Sequence, residues 1–104
     1  MPPVTAISTA TRAAVAQAEA LLARDAALAQ LVAAMDPEDR ASTWNRAQNI
    51  AARLKRFETT TWPRIRAGHR QPRDSTEDAL CALCVADTPR SPRRLWGLLV
   101  DLGL

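Results

Sequence analysis

From Ser8 to Ala34 no Gly or Pro interrupts the chain, and its larger apolar residues recur at helical spacing. Ile7, Ala14, Leu21, Leu28 and Met35 stand seven residues apart, with Val15, Leu22 and Ala29 beside them and Ala18 and Val32 completing the stripe. Ser8 or Thr9 can cap such a run, which predicts a helix over residues 8–34. A helix this long must bury its stripe against its own chain or against a second copy. The flanking charges that set coiled-coil pairing are sparse here, so the expectation is an intramolecular bundle, with a homodimer as the alternative.

The rest of the chain also favours helices. Of 104 residues 21 are Ala, the best helix former, and there is no Tyr and no β-branched run from which to build a strand. The length suits one domain spanning residues 1–104. Asp36-Pro37-Glu38-Asp39 reads as a helix start, with Asp36 as cap, Pro37 in the first turn and acids at the positive end of the dipole. The helix it opens is expected over 37–57, burying Ala41, Trp44, Ala47, Ile50, Ala51, Leu54 and Phe57. Pro63 opens a short turn of helix near 63–67 that Gly68 ends, and Trp62 before it is biased towards extended backbone. Ser75 with Asp78 suggests a capping box for a helix over 76–86. Ser91-Pro92 starts a last one over 92–102, whose Trp96, Leu98, Leu99, Leu102 and Leu104 are expected to close the core. The fold class is therefore all-α, a small bundle of about four main helices, with a helix-turn-helix-like arrangement open to the C-terminal pair.

Charge is distributed unevenly along this framework. Residues 1–39 carry a net −3 and residues 74–104 a net −2, whereas residues 40–73 carry eight Arg and one Lys against Glu58 alone, a net +8. A preference for Arg over Lys follows from a GC-rich coding sequence, but clustering does not. Arg neutralises phosphate and binds its oxygens with a planar fork, so the cluster points to an anionic partner. The candidate contacts are Arg46, Asn49, Arg53, Lys55 and Arg56 on the second helix and Arg64, Arg66, Arg70 and Arg73 after it. Asn45, Gln48 and Asn49 can reach base edges from a helix in a major groove.

In the helix-turn-helix reading, Arg90, Arg93 and Arg94 lie at the start of the second helix, where recognition side chains sit. The turn is long for that motif, and the helix is strongly apolar from Leu95 onward.

Other chemistry has little to build on. Cys81 and Cys84 share a helical face among Leu80, Leu83 and Val85, with no second ligand pair, and read as core residues rather than as metal ligands or a redox pair. His69 sits in a basic loop without a nucleophile or carboxylate beside it, and three Gly residues make no phosphate-cradling loop. The expectation is a protein with no catalytic residues, metal or cofactor. It would bind nucleic acid, DNA rather than RNA, in a regulatory role. The alternative is an adaptor or inhibitor whose basic face meets an acidic protein surface. Without a secretory start, a membrane-length apolar run or a disulfide framework, the expected setting is the cytoplasm, away from membranes.

Overall fold

The structure, a computed structural model, describes residues 8–104. These fold into five helices with no strand: α1 (Thr9–Met35), α2 (Thr43–Thr60), α3 (Trp62–Arg66), α4 (Ser75–Val85) and α5 (Pro92–Asp101). Leu28, Leu31, Ile50, Leu54, Leu83, Leu95 and Leu99 are fully buried at the centre, so α1, α2, α4 and α5 share one core. α4 packs along α1, and α5 packs along α2.

Ser8 caps α1 as expected, its Oγ accepting from the Thr11 amide at 3.1 Å. Only the last third of α1 reaches the core, through Ala27, Leu28, Leu31 and Val32. The bundle expected to cover the whole stripe does not do so. Ala14, Val15, Ala18, Leu22 and Ala29 are exposed and Leu21 is half-buried; Ile7 lies outside the described residues. The physical reason is length. A helix of 27 residues is about 40 Å long, while its partner α4 has 11 residues and covers less than half of that. The overhang stretches the described chain to 59 Å by 34 Å by 22 Å.

The second helix starts later than the Asp-Pro signal suggests. Asp36 accepts from the Arg40 and Ala41 amides at 2.9 Å each, but these belong to a turn, not a helix. Asp39 adopts the left-handed conformation, φ 54°, which breaks any helix begun at Pro37. Ser42 then makes the cap, its Oγ accepting from the Asn45 amide at 3.1 Å. The buried face of α2 is Ala47, Ile50, Ala51, Leu54 and Phe57; Trp44, expected inside, is 43% exposed.

Trp62 is the first residue of α3 rather than extended, half-buried against the core. α4 is capped by Asp74, not Ser75: its Oδ1 accepts from the Glu77 amide at 2.9 Å, while Glu77, not Asp78, reaches back to the Arg73 amide. α3, α4 and α5 end alike, with Gly68, Asp87 and Gly103 at positive φ. After each, the next amide donates five residues back, His69 to Arg64, Thr88 to Leu83 and Leu104 to Leu99. At the C-terminus Leu95 and Leu99 are buried and Leu98, Leu102 and Leu104 pack against them, whereas Trp96, expected in the core, faces outward with Val100.

Candidate nucleic-acid interface

Four of the described arginines in the basic regions are committed to internal or local ion pairs. Arg46 is the most enclosed, with its side chain 11% exposed. Its Nε and Nη2 donate to Asp36 Oδ2 at 3.0 and 2.7 Å, its Nη1 donates to the main-chain oxygen of Leu104 at 2.5 Å, and Nη2 also meets Asp39. This one guanidinium ties the α1–α2 turn to the end of α5. Amide donation from Arg40, then Arg46 itself and Ala41, holds the Asp36 carboxyl below its ordinary range. Arg70 Nη2 donates to both Glu77 oxygens at 2.9 Å, anchoring the 67–74 loop to α4. The Arg73 amide, burial working against it, and Arg70 together leave the Glu77 carboxyl below its usual value. Arg90 donates to Glu58 at 2.8 Å, and exposed Arg40 pairs with Glu38.

Arg53, Lys55, Arg56, Arg64, Arg66, Arg73, Arg93 and Arg94 remain. All eight are exposed, and none makes an ion pair among the described residues. On α2 the spacing divides them. Asn49, Arg53 and Arg56 fall on one flank with Thr60, and Lys55 falls on the other. The first flank borders a groove of about 420 Å³ towards α4, where Arg53 and Arg56 face Asp74, Thr76 and Glu77 over a floor of Phe57 and Leu80. The Arg90–Glu58 contact brings the residues just before α5 to the last turns of α2, and Arg93 and Arg94 follow in the first turn of α5.

A second feature lies between α2 and α5. Trp44, Arg93 and Trp96 line a shallow, mostly apolar depression of about 400 Å³, with the two indoles 43% and 44% exposed. The periodicity that put Trp44 in the core missed this. A helix of this pitch places position 44 at the edge of the buried arc, where α5 leaves it uncovered.

The C-terminal pair has the expected basic side chains in the first turn of α5, but α4 and α5 each pack chiefly on a different long helix. Leu95 and Leu99 are core residues, so the exposed part of α5 that follows Arg93 and Arg94 is Trp96, Val100 and Asp101. Cys81 and Cys84 pack against the core, and burial pushes both thiols up, Cys84 to about 11. Thiols raised in this way are poor nucleophiles. His69 is exposed beyond Gly68. Among the described residues no three His, Cys, Asp or Glu side chains are grouped to hold a metal ion, and no helix is long and apolar enough to cross a membrane. No family model, curated protein or solved structure matches the chain.

Proposed function

We propose that this chain is a small non-enzymatic nucleic-acid-binding protein, preferring DNA to RNA and regulatory in role. It would contact the phosphate backbone through Arg53, Lys55, Arg56, Arg64, Arg66, Arg73, Arg93 and Arg94. The observation that carries the reading is the sorting of its cations. The enclosed arginines have carboxylate partners, and Glu58, the one acid of the basic stretch, is already neutralised by Arg90. The exposed cations are left without ion-pair partners among the described residues. Unpaired cations on one small domain repel one another, and a polyanion relieves that repulsion while releasing its counterions. Asn49 stands on the flank of Arg53 and Arg56, where an amide can supplement phosphate contacts.

The apolar lining of the Trp44–Trp96 depression favours a second reading, in which the exposed cations and this patch together bind an acidic protein surface. One assay separates the two. Fluorescence anisotropy with random-sequence duplex and single-stranded probes should show binding at low salt. The R53E/R56E/R64E/R66E variant should abolish it while keeping its helical circular dichroism. Binding that survives those replacements contradicts the nucleic-acid reading, and no binding at low salt transfers support to the acidic protein partner.

A further inference from the structure

The overhanging part of α1 has no function in the reading above. Between Thr9 and Asp25 no residue is buried, although Val15 and Leu22 are 50% and 71% exposed and lie on one side with Ala18 and Thr11. An isolated helical segment of this length is marginal in water, so its apolar side needs a cover to be stable. We infer that this cover is the same segment of a second copy, packed antiparallel to form a homodimer through α1.

The charges on the overhang select that occupant and that direction. Taking Ser8, Val15 and Leu22 as the first position of each heptad makes Thr11 and Ala18 the fourth. Arg12 and Glu19 then share the fifth position, beside the seam. In a parallel pair, two fifth positions do not face each other. In an antiparallel pair they do, so Arg12 of each copy meets Glu19 of the other, twice across the two-fold axis. Val15 then packs against Ala18, and Leu22 against Thr11. Within one copy Arg12 and Glu19 are seven residues apart, about 10 Å along the axis, too far to pair, and neither makes an ion pair among the described residues. Arg12, Val15, Ala16 and Glu19 line a shallow groove of about 200 Å³ on this surface. The small side chains between them let two backbones approach closely. An overhang of this length buries on the order of 1,000 Å² across the pair, the low end of specific interfaces, which implies a dimer that dissociates on dilution.

Sedimentation equilibrium of the full chain from about 10 µM to 1 mM, the range in which such an interface dissociates, should show the mass rising from monomer to dimer. R12E or E19R alone should weaken the dimer about fivefold or more, because each turns two attractions into two repulsions, and R12E/E19R together should restore it. V15D/L22D should leave a folded monomer, since neither side chain contributes to the core. A monomer at every concentration overturns the inference. So does a dimer that ignores the charge reversals or survives V15D/L22D, because its copies then meet elsewhere or through another face.

Discussion

Arg90 reaches 32 residues back along the chain to donate its Nε to Glu58 at 2.8 Å, and burial of that pair against the bundle is partial on both sides. The contact has two electrostatic effects. It neutralises the one acid within the basic stretch, and it ties the residues just before α5 to the last turns of α2. The ion pair therefore joins two cation-bearing segments and leaves their remaining cations exposed.

Arg46 belongs to a different part of the molecule, and its replacement should affect stability instead of binding. R46A removes the link from Asp36 and Asp39 to the Leu104 main chain, and the Tm at pH 7 is expected to fall by roughly 5–10 °C. Affinity for a duplex probe, measured well below that Tm, should stay within about twofold of the parent, since no phosphate contact is lost. The pH dependence has a definite sign. The Asp36 carboxyl is depressed in the folded state, so its contribution is present above the unfolded value of about 3.9 and is lost as pH falls through the folded one. Thermal melts between neutral and strongly acid pH should show a steeper loss below about pH 4 in the parent than in D36N.

Cys84 should behave as a protected core thiol. Burial, the principal cause, lifts it to about 11, so little thiolate exists at pH 8. Labelling with an aromatic disulfide reagent at that pH should be slow in buffer and fast in denaturant. A raised folded value also means that its stabilising contribution is intact below the unfolded value of about 8.5 and is lost as pH climbs towards 11. The Tm of C81A/C84A should therefore fall less steeply over that window than that of the parent.

Trp44 and Trp96 give the proposed interface a spectroscopic handle. If the depression between them takes an unstacked base, an oligothymidylate strand should quench tryptophan emission, and W62F should retain most of that quenching. W44A/W96A should lose it and bind the single strand about tenfold or more weakly, in keeping with about 1–3 kcal/mol per stacked base. Unchanged quenching in W44A/W96A would place the bound strand elsewhere.

Much of the architecture is legible in the residues themselves, because helix periodicity and local caps are short-range properties. The α2 positions Ala47, Ile50, Ala51, Leu54 and Phe57 and the α5 residue Leu99 are buried where their spacing puts them. What escapes such reading depends on distant parts of the chain. Arg46 looks like any other arginine of the basic stretch until Asp36 and Leu104, the latter 58 residues away, converge on it. Arg70 likewise reads as a loop cation until Glu77 on α4 binds it. The stripe on α1 reports that a face is apolar, but not that α4 is too short to cover it. Trp44 shows the same limit, since position 44 counts as core by period but α5 does not extend over it.

The salt dependence of binding tests the central claim most directly. Duplex affinity measured by anisotropy over a series of salt concentrations should fall linearly on a double-logarithmic plot. Each phosphate met adds about −0.9 to the slope, so the eight unpaired cations set a limit near −7. The account predicts a slope between about −4 and −7 for the parent, reduced by about one for each of R53A, R56A and R93A and unchanged for R46A. A flat line, absence of binding at low salt, or a slope that R53A, R56A and R93A leave untouched would contradict it.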